Sequence, residues 1–580
     1  MRFTRLMILP LLLSSSFAAP RILAKNAITL RVNSHVNPTP IQHIIVIMQE
    51  NRSFDSYFGT YPGANGIPAG VCAPLNPQDP SLGCVAPFHD QRDSNDGGVH
   101  RAEDAQIDID DGITQALMDG FVYDQMSFYP KGWEHNWGFI NHDVMGYHTA
   151  AELPNYWNYA RNFVLQDNIF ASERGYSLPN HLYLVSEWSA ACTDWTNAMT
   201  CYSADLNDGK PFFRHSAPWA SLFQLYDNFG VSWKYYVAPG TQPDCDDDNM
   251  TCAPVSQRGD VQSLWNPPRK FAYVQAQGGA YLAEHNPETA QFFTDLQNGT
   301  LPQVSWLIPT VKRSEHPTES IDAGMDYVTS LVNAVMKSPY WANTAIFITW
   351  DDWGGFYDHV VPPNVDSDTE TYPIIGYGIR VPGIMISAYA KQGLVDHQLL
   401  SFDSFATLAE NLFLGGQRLD PAALGVPDNR PDIRDALTSV NLFGGGTEAV
   451  GNLLNEFDFS QTPVAPLILS QTIPTNITVS CGTNLYGPGA APYCTQQQVK
   501  IFWTAVNDGT TQKYSYNLMR DGTPLTKCIP TRPYCYDSPG PGNHYYTVYS
   551  IGSNNVASPA SGAALAVVPP LTASKRTPAR

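Results

Sequence analysis

The stretch HIIVIMQENRSFDSYFG, residues 43–59, constrains the fold most, because five consecutive apolar residues, Ile44 to Met48, run directly into a polar cluster. Such a run does not alternate between apolar and polar positions, so it predicts a strand covered on both faces, as strands in parallel sheets are. The polar residues that follow lie at the carboxyl end of this strand. In open α/β sheets, ligands bind in the crevice outside the carboxyl ends of the strands. Glu50 and Asn51 are therefore candidate site residues by position alone.

Several later segments repeat this pattern of an apolar run followed by polar residues. They are FVLQDNIFA (163–171), QVSWLIP (303–309) and TAIFITW (344–350), and VPGIMIS (381–387) has the composition of a further core strand. Residues 322–336 and 401–413 carry apolar side chains at helical spacing. Strands that alternate with helices are typical of a doubly wound, mostly parallel sheet. The sequence therefore predicts an α/β domain, which we place at residues 36–440.

The character of the chain changes at about Thr462. From there it is rich in Thr, Tyr, Ser, Gly and Pro, with short strand-like segments between turn signals. This spacing predicts a small all-β sandwich domain, which we place at residues 467–570. Trp503 and the tyrosines at 545, 546 and 549 resemble the core aromatics of a fibronectin type III module. Residues 441–466 are the predicted linker, and residues 571–580 are a predicted disordered tail.

The N-terminal segment has Arg2 and Arg5, an apolar stretch from Leu6 to Leu13, and small residues up to Ala18. This pattern predicts a secretory signal peptide over residues 1–18. It is too short to span a bilayer, and no later segment is long and apolar enough to be a transmembrane helix. We therefore expect a secreted protein, extracellular or periplasmic.

The ten cysteines fall into five close pairs. No C-x-x-C spacing occurs and no histidine follows the pairs at a finger-like interval, so local disulfides are favoured over zinc binding. The connectivity itself stays open at this point. The pairs are Cys72 and Cys84, Cys192 and Cys201, Cys245 and Cys252, Cys481 and Cys494, and Cys528 and Cys535.

The chain is acidic, with 33 Lys and Arg against 54 Asp and Glu and a formal net charge of −21. This charge argues against a nucleic-acid partner and against an anionic membrane surface. It does not predict the charge of a substrate, because a bound metal can reverse the local sign.

Four predicted core strands each place polar residues just past their carboxyl ends, where the strands of such a sheet converge. These residues are Glu50 and Asn51, Ser177, His316, and Asp351 with Asp352. Three carboxylates and an amide are oxygen ligands that suit a hard divalent cation such as Mg, Ca or Mn. Each residue alone has a simpler structural explanation, but their coincidence at four strand ends favours one metal site.

Ser177 lies in GYSLPN, at the start of a predicted helix with Pro179 in its first turn. Free backbone N–H groups at a helix start bind phosphate-like anions, and the helix dipole there favours a serine alkoxide. Ser177 is therefore either a helix cap or, with a cation beside it, a nucleophile.

Four motifs resemble one known family. ENRSFDSYFG, SLPN, SEHP and WDDWGGFYDHVVPP look like the bacterial phosphoesterase family that contains non-haemolytic phospholipases C and respiratory-burst-inhibiting acid phosphatases. The resemblance covers about residues 40–440 and leaves the C-terminal module outside it. It implies an alkaline-phosphatase-like fold and a phosphoester hydrolase site with one divalent metal ion, Mg, Ca, Mn or Zn.

The resemblance also implies roles for individual residues. Ser177 matches the nucleophile, and His316 in SEHP and His135 in WEHNW match histidines that contact the phosphoryl oxygens or the leaving group. The implied metal ligands are Glu50, Asn51, Asp351, Asp352 and Ser177.

Two further residues are candidates for substrate binding. Arg52 either faces the substrate phosphate or pairs with a carboxylate such as Asp55. His359, in the long WDDWGGFYDHVVPP motif, either contacts the substrate or packs beside the site.

The implied function is an exported, metal-dependent phosphoester hydrolase of the phospholipase C type that works through a phosphoserine intermediate. The substrate is a phosphoester, with phospholipids among the candidates. A broad-specificity acid phosphatase is the alternative, because Arg2 and Arg5 do not form a twin-arginine pair and the C-terminus resembles a single fibronectin-type module. A further alternative is a non-catalytic exported binding protein whose sandwich contacts a surface or glycan.

Overall fold

The computed structural model describes residues 36–109, 117–128, 140–206, 212, 214–242, 255–363, 376–442, 445–471, 473–480, 498–506, 513–552 and 557–568. Several predictions lie outside these residues and stay predictions. They concern the signal peptide, His135, the cysteine pairs at 245 and 252 and at 481 and 494, and the tail at 571–580.

An eight-stranded sheet forms the centre of the fold. Its strands are β1 (His43–Gln49), β2 (Val164–Phe170), β3 (Trp233–Val237), β4 (Val304–Ile308), β5 (Thr344–Trp350), β6 (Arg380–Ser387), β7 (Leu394–Asp396) and β8 (Leu400–Ser401). The order is β7-β2-β6-β5-β1-β4-β3, and β8 also pairs with β2. Only β6 is antiparallel to its neighbours, β5 and β2. The other pairings in this sheet are parallel, so the predicted α/β fold with a mostly parallel sheet is confirmed.

The central strands are buried on both faces, as their uninterrupted apolar runs predict. All seven residues of β5 and all eight of β6 are buried. Helices pack against these strands and, together with parts of the connecting segments, supply the rest of the main core. The predicted helices at 322–336 and 401–413 are observed as Ile321–Met336 and Asp403–Phe413.

The described helices are numbered in chain order. They are α1 (Phe54–Phe58), α2 (Ala102–Ile109), α3 (Phe121–Phe128), α4 (Pro154–Asn162), α5 (Ser177–Ser186), α6 (Leu222–Phe229), α7 (Ala272–Gln277), α8 (Gly279–His285), α9 (Thr289–Asn298), α10 (Ile321–Met336) and α11 (Asp403–Phe413). Among them, no helix has both the length and the apolar character needed to cross a bilayer.

Within the described residues, five small two-stranded sheets and two disulfides lie outside the central sheet of the α/β domain, and a third disulfide lies in the C-terminal module. The strand pairs are Ala73–Pro74 with Cys84–Val85, Phe88–His89 with Gly146–Tyr147, Ala190–Cys192 with Cys201–Ser203, Gly240–Gln242 with Val255–Gln257, and Ser439–Asn441 with Thr447–Ala449. The predicted disulfides are confirmed for Cys72–Cys84, Cys192–Cys201 and Cys528–Cys535.

The described residues of the C-terminal module form two antiparallel sheets around a separate core. Its strands are β9 (Thr475–Ser480), β10 (Val499–Thr504), β11 (Ser515–Arg520), β12 (Thr523–Pro524), β13 (Tyr534–Asp537), β14 (Gly542–Ile551) and β15 (Ala564–Val568). One sheet has the order β9-β10-β13 and the other β12-β11-β14-β15. Trp503 and Tyr546 lie in the core between them. The predicted sandwich is confirmed, and its assignment to the fibronectin type III fold stays a prediction.

The module and the segment before it are in contact with the α/β domain. Asp93 donates its backbone N–H to the Ala563 carbonyl at 2.9 Å, and Gly562 donates to the Asp322 carboxylate at 2.7 Å. Within the predicted linker, Leu453 and Phe457 belong to the main core. This part of the linker is therefore packed against the α/β domain, and the domain boundaries themselves stay a prediction.

Replacing Ile346 by alanine should destabilise the α/β domain strongly. Ile346 is fully buried at the centre of β5, opposite Ile45 on one side and Ile386 on the other. Loss of its side chain leaves a cavity between close-packed strands, so we expect the free energy of unfolding to fall by about 2–5 kcal/mol. Urea denaturation followed by far-UV circular dichroism measures the change.

The matched control is Ile468→Ala, because that side chain is 44% exposed. We expect it to change the free energy of unfolding by less than about 0.5 kcal/mol. Equal losses in the two variants would contradict the assignment of β5 to the core.

Candidate functional site

The carboxyl ends of β1 and β5 bring four polar residues together. The two strands pair in parallel up to Gln49 and Trp350, so the residues that follow them are neighbours. These residues are Glu50 and Asn51 after β1, and Asp351 and Asp352 after β5, and all four are fully buried. The backbone N–H of Asn51 donates to Asp351 Oδ1 at 2.9 Å. This bond ties the two strand ends to each other.

The side-chain amide of Asn51 is oriented by its two donor contacts. Its Nδ2 lies 3.0 Å from Asp352 Oδ1 and 3.0 Å from His100 Nε2. Asn51 Oδ1 and Asp351 Oδ2 are buried and accept no hydrogen bond within the described part of the chain. A buried polar atom left in this way costs about 1–3 kcal/mol. Two such oxygens at one site are what a cation would satisfy.

Ser177 joins this cluster from the end of β2. It is the first residue of α5, whose N-cap is Tyr176 rather than Ser177 itself. Its hydroxyl donates to Glu50 Oε2 at 3.2 Å, and the side chain is fully buried. The residue predicted as either cap or nucleophile therefore directs its hydroxyl at the acidic cluster.

His181 lies one helical turn after Ser177 and is a candidate site residue that the sequence motifs did not predict. Its Nε2 lies 3.3 Å from Glu50 Oε1, and its Nδ1 lies 3.2 Å from the Tyr235 hydroxyl. That hydroxyl donates to the Trp265 carbonyl at 2.8 Å, so it accepts the Nδ1 proton of His181. Nε2 is then left to face Glu50. The i, i+4 spacing from Ser177 on a predicted helix was a signal that could have identified His181.

One ligand atom each from Glu50, His181 and Asp351 lies within 4.8 Å of the others. Ligand atoms that share a metal ion of this class lie about 2.0–2.6 Å from it, so they are separated by at most about 5 Å. The spacing of these three groups is therefore compatible with a shared cation.

His316 and His100 border the cluster on another side. The His316 ring is fully buried and lies 6.2 Å from the His100 ring, centroid to centroid. His100 Nδ1 lies 3.0 Å from the Gly98 carbonyl, which places its proton there and lets Nε2 accept from Asn51. His316 was predicted from the SEHP motif. Nothing in the sequence around His100 predicted a site.

A buried glutamate supports the loop that carries His316. Glu315 has a left-handed φ of 72° and accepts a hydrogen bond from Tyr57 at 2.7 Å and from Gln49 at 3.1 Å. Tyr156 also donates to it, and so does Trp350 at 3.2 Å. Burial raises the pKa of Glu315, and the hydrogen bonds oppose that shift. This network links the end of β1 to the loop after β4.

Arg52, predicted to bind substrate or to pair with Asp55, is fully buried. Its guanidinium donates to the Asn51 carbonyl at 2.6 Å and to the Tyr57 hydroxyl at 3.0 Å, and it lies over the Phe356 ring at 4.8 Å. These contacts support the backbone of Asn51. A contact between Arg52 and substrate stays a prediction.

Asp55 has other partners. Arg380 lies 3.1 Å from it, and His359 Nδ1 lies 2.7 Å from it. Arg380 also pairs with Asp358 at 3.1 Å, and burial raises the pKa of Asp358 to about 6 in spite of that arginine. His359 is therefore part of an ion-pair network behind the strand ends, and its contact with substrate stays a prediction.

Comparison with known proteins identifies the family. The family model "Phosphoesterase family" matches residues 41–413. Phospholipase C A of Mycobacterium tuberculosis is 28% identical over 470 residues, which are 73% of this chain and 78% of that protein. Non-hemolytic phospholipase C of Burkholderia pseudomallei is 28% identical and matches 64% of this chain and 55% of its own length. Non-specific phospholipase C1 of Arabidopsis thaliana is 27% identical over 62% of this chain and 63% of its own length.

Solved structures match at lower similarity. The PsFucS1 sulfatase of Pseudoalteromonas sp. aligns with a TM-score of 0.28 and 10% identity over 69% of this chain and 77% of its own. A protein in the alkaline phosphatase superfamily from Vibrio parahaemolyticus aligns with a TM-score of 0.26 and 13% identity over 55% of this chain and 77% of its own. The family model spans well over half of the sequence and includes every strand of the central sheet. The chain belongs to the Phosphoesterase family.

Proposed function

We propose that this chain is an exported, metal-dependent phosphoester hydrolase of the phospholipase C type, which acts through a phosphoserine at Ser177. The observation that carries the proposal is the Ser177 hydroxyl, 3.2 Å from Glu50 at the start of a helix, among buried carboxylates at the ends of β1 and β5. The relatives named phospholipase C support a diester substrate. The three disulfides support an oxidising, extracytoplasmic compartment.

The residues present fit a divalent cation. Asn51 Oδ1 and Asp351 Oδ2 are buried without a hydrogen-bond partner among the described residues. The groups that would hold the ion are Glu50, Asn51, Ser177, Asp351 and Asp352, with His181 as a further ligand candidate. Oxygen donors of this kind are typical ligands of Mg, Ca or Mn, and a histidine is also compatible with Zn. When bound, the cation would supply a Lewis acid that favours the ionised serine and offsets negative charge on the phosphoryl group.

The chain's own residues then account for the displacement. Glu50 accepts the hydrogen bond of the Ser177 hydroxyl and takes this proton as Oγ attacks phosphorus. Oγ forms a bond to phosphorus in line with the departing alcohol, and the bond between phosphorus and that alcohol oxygen breaks. The N–H groups of the first turn of α5 bind the phosphoryl oxygens, as helix N-termini do.

Proton transfer completes the two halves of the reaction. The departing alcohol takes a proton from His316 or His135, of which His316 is the buried residue beside His100. Water then attacks phosphorus and returns its proton to the same histidine. The bond between phosphorus and Ser177 Oγ breaks, Oγ takes back its proton from Glu50, and the phosphate product is released with the serine restored.

The glycine turn after β5 positions the residues of this site. The N–H of Gly354 donates to Asp352 Oδ1 at 2.7 Å, and its φ is 61°. A Cβ at Gly354 would lie 2.7 Å from the Cβ of Asn51 and 2.7 Å from its carbonyl oxygen. Only glycine lets this turn approach Asn51 so closely.

Ser177→Ala should abolish hydrolysis, because it removes the nucleophile. We expect kcat for p-nitrophenyl phosphorylcholine to fall at least about a thousandfold, while the circular dichroism spectrum stays unchanged. Ser330→Ala is the matched control, because Ser330 lies partly exposed on α10 and its hydroxyl donates to the Tyr327 carbonyl of the same helix. We expect it to retain wild-type activity.

The same assay separates the candidate functions when p-nitrophenyl phosphate is tested in parallel. Faster cleavage of the choline diester supports the phospholipase C type, and faster cleavage of the monoester supports a phosphatase. If wild-type protein supplied with several divalent metals cleaves neither substrate above the Ser177→Ala background, the proposed function is wrong.

Chelation should remove activity, and one divalent metal should restore it. Asp351→Asn should raise the metal concentration needed for half-maximal restoration by at least about tenfold, because it weakens a charged ligand without changing its shape. Metal titration of the stripped enzyme measures this. Asp260→Asn is the control, since its side chain is 66% exposed. A shift of the same size in both variants would contradict the assignment of Asp351 to the metal site.

Gly354→Ala should lower kcat and weaken metal binding together, by at least about tenfold in activity, because the new methyl group pushes against Asn51. Gly230→Ala is a close control: Gly230 also has a positive φ, 69°, but an added Cβ there meets no atom within 4 Å. Both variants place an alanine at a positive φ and are therefore strained, but only Gly354→Ala brings a new methyl group against Asn51. Loss of activity to the same extent in both would show that strain alone is responsible.

A further inference from the structure

Three buried carboxylates form a second cluster, at the other end of α5. Glu187 is the C-cap of that helix, Glu410 lies on α11, and Asp435 lies in the short turn Arg434–Ala436. The exposed fractions of the three residues are 2%, 0% and 4%. One ligand oxygen from each lies within 4.8 Å of the other two. Oxygens that share a Ca2+ ion at about 2.3–2.6 Å have separations of this size.

Each of these carboxylates has one oxygen that accepts a hydrogen bond from an N–H group and one oxygen to which no such donor of the described residues is bonded. Glu187 Oε2 accepts from the Asp435 N–H at 3.4 Å, and Asp435 Oδ2 accepts from the Leu419 N–H at 3.3 Å. Glu410 Oε2 accepts from Arg418 at 3.2 Å. The remaining oxygens, Glu187 Oε1, Glu410 Oε1 and Asp435 Oδ1, are buried and accept no hydrogen bond from the described residues.

Most of the arginines near this cluster form ion pairs with other carboxylates. Arg430 pairs with Asp428 at 2.8 Å and donates to the Ser186 and Ala220 carbonyls. Arg434 pairs with Asp432 at 3.2 Å. Arg418, which does bond Glu410, has a side chain that is 27% exposed. Buried carboxylates that are not matched by cations are strongly unfavourable.

The position of the cluster at the carboxyl end of α5 also favours a bound cation. The C-terminus of a helix carries a partial negative charge, so a carboxylate there is unfavourable and a cation is favourable. Burial and the neighbouring carboxylate of Asp435 both disfavour the charged forms of Glu187 and Glu410. Either protons or a cation must therefore reduce the charge of the cluster.

We propose that Glu187, Glu410 and Asp435 form a second cation site, which binds a hard divalent ion such as Ca2+ and fixes the carboxyl end of α5 against α11. Three buried carboxylate oxygens to which no N–H group of the described residues donates converge there from three separate elements. The site is distinct from the cluster around Ser177, because α5 is ten residues long and therefore separates the two by about 15 Å. The inference goes beyond the proposed hydrolase activity.

The test is equilibrium dialysis of the chelator-stripped full chain against 45Ca2+. We expect Glu187→Gln and Glu410→Gln each to bind one Ca2+ fewer per chain than the wild type. Glu456→Gln is the matched control, because Glu456 is also fully buried with one unpartnered oxygen but lies outside the cluster. We expect it to bind as the wild type does. Wild-type stoichiometry in both cluster variants would overturn the proposal and leave proton sharing as the explanation.

A second measurement remains decisive if the cluster variants do not fold. Asp351→Asn/Asp352→Asn removes ligands at the Ser177 site and leaves the second cluster intact. We expect Ca2+ still to raise the melting temperature of this double variant, and the absence of any rise would overturn the proposal. The same experiment distinguishes failure of the proposed function from failure of this proposal. If the cluster around Ser177 binds no metal, the double variant binds as many Ca2+ ions as the wild type, while Glu187→Gln still binds one fewer.

Discussion

The parallel pairing of β1 with β5 is the interaction on which the site depends. The pairing runs in register from His43 and Thr344 to Gln49 and Trp350, so both strands stop at the same level. A slip of one residue would turn every side chain of a strand to the opposite face. It would also separate the Asn51 N–H from Asp351 Oδ1. The hydrophobic interior that fixes this register therefore also fixes the spacing of the acidic residues beyond it.

The same packing explains why these acidic residues are buried. Strands covered on both faces end in buried surroundings, and Glu50, Asp351 and Asp352 are fully excluded from solvent. Ser177 enters the cluster because β2, two strands away from β5, points in the same direction as β1 and feeds α5 at that edge. A doubly wound sheet thus concentrates negative charge and a serine where water is scarce. Electrostatic interactions are stronger in such surroundings than in water.

The sequence predicted the strands that are continuous apolar runs and the polar residues that follow them. It missed β3, because WKYYV mixes a lysine with aromatic residues at the edge of the sheet, where Lys234 reaches Asp295 at 2.6 Å. It also did not predict the reversed direction of β6, since an apolar run gives no information on strand direction. Local pattern therefore identified the core and the residues directly after it.

The local sequence pattern could not predict contacts between residues that are distant in the sequence. His100 reaches Asn51 from a segment without any recognisable motif, and only tertiary structure brings the two together. Glu187, Glu410 and Asp435 are equally unremarkable in sequence and meet only because α11 and the 434–436 turn pack against the end of α5. Part of the acidic excess behind the net charge of −21 therefore lies inside the fold, in acidic clusters at both ends of one buried helix. Since α5 carries Ser177 at one end and Glu187 at the other, charge compensation at either cluster acts on the same rigid element.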